Sequence, residues 1–152
     1  MKSPCLASKG NSAAEKSRPT ILIIDEDPDI TRCLELVLAN YDVNVIRDYC
    51  GRFGIWDVSQ HKPDLVITDI RMPNGDGQEL LEEVKSDPQL AQTPVIIFTG
   101  QRDPGLAGQL KRLGAASILY KPVHYQLLLQ EIERFIPLEE LDWAHAKPRS
   151  NG

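Results

Sequence analysis

The chain alternates between two hydrophobic patterns. Short continuous apolar runs, "ILIID" at 21–25, "VNVI" at 43–46, "DLVIT" at 64–68, "PVIIFT" at 94–99 and "SILY" at 117–120, are separated by longer stretches in which apolar residues recur every three or four positions. A run that is apolar on both faces reads as a strand buried on both sides, and the wider spacing reads as a helix with one apolar stripe. The first such helix is "DPDITRCLELVLAN", with Ile30, Cys33, Leu34, Val37 and Leu38 as its stripe, and a weaker one surrounds Phe53 to Val58. Three more run through Leu80, Leu81 and Val84, through Leu106, Leu110 and Leu113, and through Leu128, Ile132, Phe135 and Ile136. Five strands alternating with five helices predict an α/β fold: a doubly wound, five-stranded parallel sheet covered on both faces, with right-handed crossovers.

The pattern has edges. Residues 1–19 are Ser, Lys, Ala, Gly and Asn with a single Leu, so they have almost nothing to bury and are expected to form a disordered extension. Residues 20–136 form the one domain. After Ile136, "PLEELDWAHAKPRSNG" is read as a frayed end in preference to a short turn docking through Leu138, Leu141 and Trp143.

Composition narrows the classes. A chain of 152 residues has room for one ordinary core. The formal charge of −5, with no block of like charges, argues against a nucleic-acid or anionic-membrane surface. Cys5, Cys33 and Cys50 lack any zinc-binding spacing and cannot all pair, which fits reduced thiols. No stretch has the length of a signal peptide core or a membrane span, so the protein is expected to be cytoplasmic. His61, His124 and His145 are scattered and read as surface residues, and Trp56 reads as a packing residue of the second helix.

In a doubly wound sheet, ligands bind in the crevice beyond the carboxyl ends of the strands. The first strand ends in Asp25-Glu26-Asp27, the third in Asp69, the fourth in Thr99-Gly100, and the fifth runs into Lys121-Pro122. Taken singly, each residue has a plainer reading: Asp69 as a turn former, Asp27 before Pro28 as a helix cap, Thr99 as a strand residue and Lys121 as a solvated charge. Placed at successive strand ends, three carboxylates, a hydroxyl and an ammonium converge on one rim. Crowded carboxylates repel and need a cation, and a hard divalent ion with oxygen ligands, Mg²⁺ above all, would supply it.

"ILIIDEDPDI", "PDLVITDIRMPNGDG", "PVIIFTG" and "GAASILYKP" resemble the successive signatures of the CheY-like receiver domain of bacterial two-component response regulators. That resemblance implies a flavodoxin-like (βα)5 three-layer sandwich. It implies that Asp25 and Glu26 hold Mg²⁺ with Asp69 and the backbone carbonyl of Arg71. Asp69 would be the aspartate that is phosphorylated, Lys121 would meet a phosphoryl oxygen, Thr99 would bond another, and Gly100 would leave room beside them. The Lys121-Pro122 bond is cis in relatives. The phosphoryl donor would be a sensor histidine kinase or a phosphotransfer protein, and the output a downstream protein partner met through the fourth helix, fifth strand and fifth helix, with homodimerisation an open option. Such a module signals and is not an enzyme, although it assists its own phosphorylation and dephosphorylation.

Some positions depart from the family. Ile118 stands three residues before the lysine, where most relatives carry an aromatic that swings inward as the threonine moves; Tyr120 is two residues further along the same face. Gly75 loosens the loop after Asp69, and Gly54 weakens the second helix. Two readings remain: a stand-alone, phosphorylatable receiver, if the chain is full length, or a pseudo-receiver that binds a partner without phosphorylation. A phosphatase of the aspartate-nucleophile class would need an acid where Arg71 stands.

Overall fold

Each apolar run becomes a strand. In the computed structural model, which describes residues 18–72 and 76–144, β1 (Thr20–Ile24), β2 (Asn44–Asp48), β3 (Leu65–Thr68), β4 (Val95–Thr99) and β5 (Ser117–Tyr120) form one sheet. All neighbours are parallel, in the order β2-β1-β3-β4-β5. Helices α1 (Pro28–Leu38), α2 (Gly51–His61), α3 (Gly77–Ser86), α4 (Pro104–Arg112) and α5 (Tyr125–Glu133) alternate with the strands, which is the expected doubly wound architecture.

Successive strand residues point to opposite faces, so two apolar layers form. Ile21, Ile23, Ile67, Ile96 and Phe98 meet Leu34 and Leu38 of α1 and Leu128 and Ile132 of α5. Leu22, Ile24, Val66, Val95 and Ile97 meet Val58 of α2, Leu80, Leu81 and Val84 of α3, and Leu110 of α4. The central strands β1, β3 and β4 are buried almost throughout, whereas β2 and β5 are only half-buried edges. Truncating a fully buried side chain such as Leu38 to alanine would cost about 2–5 kcal/mol.

Helix starts follow local chemistry. Asp27, Asp76 and Asp103 each cap a helix by accepting from the backbone N–H two residues on, and Pro28 and Pro104 begin α1 and α4 where the missing N–H does no harm. The cap expected of Asp27 is present.

Several expectations need correction. Cys33, assigned to the buried stripe of α1, is exposed, and Thr31 is buried in that helix instead. Trp56 is 50% exposed and does not pack the core. Helix α2 turns its small side inward: a Cβ on Gly54 would lie 3.1 Å from Ile24 Cδ1 and 3.3 Å from Leu80 Cδ1. The glycine counted as a weakness is what lets α2 approach β1 and α3. The last helix closes at Glu133, so Phe135 and Ile136 pack on the core from the turn beyond it.

The described residues that flank the domain, 18–19 and 137–144, make contacts of their own. Pro19 accepts a hydrogen bond from Asn44 N–H, and Arg18 pairs with Asp42. After α5 the chain docks and does not fray: Glu139 accepts from Asp42 N–H, Leu141 donates to Asn40, Tyr41 bridges Glu140, and Leu138 packs against the α1/α5 layer. Trp143 is exposed. The remainder of the extension, with Cys5, the Pro73–Gly75 loop with its expected looseness, and the last residues, with His145, lie outside the described residues. His61 and His124 are exposed, as expected. Among the described residues no helix is long and apolar enough to cross a membrane.

Deleting residues 137–152 is expected to lower unfolding stability by about 1–3 kcal/mol, from lost Leu138 burial and two backbone hydrogen bonds. Urea denaturation reads this directly. A midpoint equal to that of the full chain would mean that the docked segment contributes nothing.

Candidate functional site

The strand order reverses between β1 and β3. From β1 the chain crosses to β2 on one side, and from β3 it crosses to β4 on the other, so the carboxyl ends of β1 and β3 flank a crevice that no crossover covers. The hydrogen-bond ladder runs one residue past the strands on this rim. Asp25 N–H donates to Asp48, Asp69 N–H to Ile24, and Lys121 N–H to Thr99. Those bonds fix where the three side chains start.

The side chains then converge. Lys121 Nζ donates to Asp25 Oδ2 at 2.6 Å and to Asp69 Oδ2 at 2.9 Å, bridging carboxylates that lie 96 and 52 residues away in sequence. Asp25 Oδ1 accepts from Asp27 N–H and Asp69 Oδ1 from Ile70 N–H, which orients both groups. Burial alone would lower the Lys121 pKa, but the hydrogen bonds and charges of Asp25 and Asp69 outweigh it and hold the ammonium above the ordinary lysine value. Phe98 lies beneath the ammonium, its ring centre 5.4 Å away. The Lys121-Pro122 bond is cis.

One contributor to this rim escaped sequence reading. Gly77, the first residue of α3, donates its N–H to Ile70, and a Cβ there would collide with the carbonyl of Asp69 and lie 3.0 Å from Ile70 Cα. A side chain at 77 would push α3 off the strand end that carries Asp69. The signal in the sequence is the Asp76-Gly77 pair just before the third helix.

The remaining expected residues sit around this pair. Asp25 is 3% exposed, Glu26 is exposed, and Arg71 is exposed beside a shallow cleft of about 390 Å³ lined by Glu26, Ile70, Arg71, Met72 and Asp76. Among the described residues no three His, Cys, Asp or Glu side chains form a ready metal cage, so Asp25, Glu26 and Asp69 do not converge as a trio. The donor set nevertheless fits a hard divalent ion that keeps several waters: two carboxylates already share one cation, and one of them is almost wholly buried. Thr99 is 2% exposed, and its Oγ1 accepts from Gln101 N–H at 3.2 Å. A Cβ on Gly100 would meet no heavy atom within 4 Å beyond its chain neighbours. Ile118 is partly buried against the layer that contains Leu110 of α4, while Tyr120 lies under the Arg102 guanidinium at 5.1 Å.

Comparison with known proteins agrees with this geometry. Residues 21–133 match the family model described as response regulator receiver domain. The chain is 38% identical over 125 residues to the C4-dicarboxylate transport transcriptional regulatory protein DctD of Pseudomonas aeruginosa, which spans 80% of this chain and 26% of that protein. It is 26% identical over 124 residues to hybrid signal transduction histidine kinase D of Dictyostelium discoideum, spanning 82% of this chain and 8% of that one. This chain therefore matches only a small part of either relative. A solved structure, a CheY-like response regulator receiver domain protein of Methanospirillum hungatei, superposes with a TM-score of 0.73 at 25% identity, covering 78% of this chain and 93% of that one.

A second acidic pair, which the apolar pattern does not mark, lies at the β2 end of the rim. Asp48 ends β2, which runs two residues beyond the apolar run read as that strand, and it faces Asp57 of α2. Asp48 Oδ1 is fixed by Tyr49 and Cys50 N–H. Burial, a hydrogen bond with Asp48 and the Asp48 charge push the Asp57 carboxyl from 3.8 up to about 7. The folded protein thus holds a proton that the unfolded chain releases near pH 4, so this pair costs stability as pH rises toward 7. Asp57→Asn is expected to raise the melting temperature at pH 8 and leave it unchanged near pH 4. Equal melting of the two proteins at pH 8 would remove the pair from the account.

Proposed function

The chain belongs to the response regulator receiver domain family, and from that membership and the rim geometry we propose that Asp69 accepts a phosphoryl group in a two-component relay. The donor is a phosphohistidine of a sensor histidine kinase or phosphotransfer protein, the kind of partner that receiver domains meet. Asp69 supplies a carboxylate oxygen, the P–N bond breaks, a P–O bond forms, and the imidazole leaves as the aspartyl phosphate appears. The observation that carries this reading is the pair of bonds from Lys121 to Asp25 and Asp69: an ammonium already held at the acceptor oxygen is placed to meet the transferred oxygens.

Asp25 and Glu26, with Asp69 and the Arg71 carbonyl, would hold Mg²⁺. When bound, that ion supplies positive charge for the transferring oxygens. Lys121 orients Asp69 before transfer and can move its donor hydrogens to phosphoryl oxygen afterwards. Thr99 would exchange its bond from Gln101 N–H for one donated to another phosphoryl oxygen. Residues 20–136 are taken as the receiver, 1–19 as an extension and 137–152 as a tail, with the output read by a protein partner on the α4-β5-α5 face.

Acetyl phosphate in the presence of Mg²⁺ is expected to add one phosphoryl mass to the wild type and none to Asp69→Asn or to a chelator-treated sample. Intact-mass spectrometry measures all three. Undiminished labelling in either control removes Asp69 or the metal from the reading, and an unlabelled wild type favours the pseudo-receiver.

A further inference from the structure

Ile118 leaves the expected switch without its ring, yet an aromatic does stand on this edge. Tyr120 pairs with Thr99 across β4 and β5, so it neighbours the residue that must respond to the phosphoryl group. Its ring carries the Arg102 guanidinium at 5.1 Å, and Arg102 lies three residues after Thr99 in the loop leading to α4. Thr99 Oγ1 accepts from Gln101 N–H within that same loop. Gln101 Nε2 is buried without a hydrogen-bond partner among the described residues, so the loop is not fully satisfied where it rests. Thr99, Gln101, Arg102 and Tyr120 therefore close a ring of contacts: hydroxyl to loop, loop to guanidinium, guanidinium to aromatic face, and aromatic back to Thr99 through the sheet.

We propose that the Arg102-Tyr120 stack latches the loop between β4 and α4 in its resting position, making these two the positioning residues of the switch in place of Ile118. This rests on the reading of Asp69 as the phosphoacceptor. When the Thr99 hydroxyl turns to a phosphoryl oxygen, Gln101 N–H loses its acceptor, and the loop is held back by the stack alone. Ligation then shifts the loop to a position in which Arg102 leaves Tyr120, and the change reaches the half-buried β5 edge directly. A guanidinium over a half-buried aromatic face at the surface biases such an equilibrium about two- to five-fold, enough to set its position without locking it.

Amide NMR spectra of the wild type, Arg102→Gln, Tyr120→Leu and Tyr120→Phe, titrated with beryllofluoride and Mg²⁺ as an aspartyl-phosphate mimic, test the latch. In Arg102→Gln and Tyr120→Leu, the resting signals of residues 100–103 should move toward their ligated positions, and apparent beryllofluoride affinity should rise about two- to five-fold. Tyr120→Phe keeps the aromatic face and should match the wild type. The double variant should gain no more than either single one, because both remove the same contact. A normal wild-type response that neither Arg102→Gln nor Tyr120→Leu alters overturns the latch alone, as does a Tyr120→Phe variant that behaves like Tyr120→Leu. A wild type that, like Asp69→Asn, shows no response to beryllofluoride overturns the acceptor reading and the latch with it.

Discussion

Two carboxylates at adjacent strand ends repel, and the rest of the site is organised around that repulsion. Asp25 and Asp69 both reach toward the same point, with side chains 4% and 14% exposed, where water screens them poorly. At an effective dielectric near 20, like charges about 4 Å apart oppose one another by about 4 kcal/mol. Lys121 offsets this by bonding both. Removing one member of such a partly buried set leaves the others uncompensated, at a cost of about 3–5 kcal/mol, and for that reason the ammonium is a structural requirement of the rim itself.

That arrangement depends on topology more than on any one segment. The three residues come from the ends of β1, β3 and β5, and only a parallel sheet wound in this order brings those ends to one edge. The core beneath them is close to fully buried along β1, β3 and β4, so the strand ends cannot drift. Gly77 adds the last constraint by letting α3 press against the Asp69 backbone. Precision at the Asp69 carboxylate is thus carried by apolar packing below and a missing side chain above.

Much of this could be read from the chain because its signals are periodic. The apolar runs marked every strand, and the strand ends alone point to Asp25, Asp69, Thr99 and Lys121. The misses share a cause, which is competition between faces that a one-dimensional pattern does not rank. Helix α2 carries Phe53 and Trp56 on one side and Gly54 and Val58 on the other, and close packing on Ile24 and Leu80 favoured the small side. Residues 138–141 have a mixed composition, and their docking depends on backbone bonds to Asn40 and Asp42 that no side-chain pattern announces. Asp48 was overlooked because the apolar run ends before the strand does: Arg47 and Asp48 continue β2 on a half-exposed edge, where strands need not be apolar.

The same distinction between buried centre and half-exposed edge decides how a displacement at Asp69 could reach the surface. Asp69 follows the middle strand, flanked by β1 and β4, and neither neighbour can shift without opening packed layers on both faces. An event at Asp69 must therefore pass outward along the rim through groups that touch it and also reach an edge. On the β2 side, Asp25 reaches the edge through its backbone bond to Asp48, whose carboxylate is tied down by two backbone N–H groups. On the β5 side, Lys121 bonds Asp69 directly and Thr99 precedes a loop held by one hydroxyl and one stack. The β5 route has fewer bonds to break and ends on a surface formed by α4, β5 and α5. Ile118 is partly buried against the layer beneath α4 and has no ring to turn, so the groups on this edge with an aromatic contact to lose are the loop's Arg102 and Tyr120.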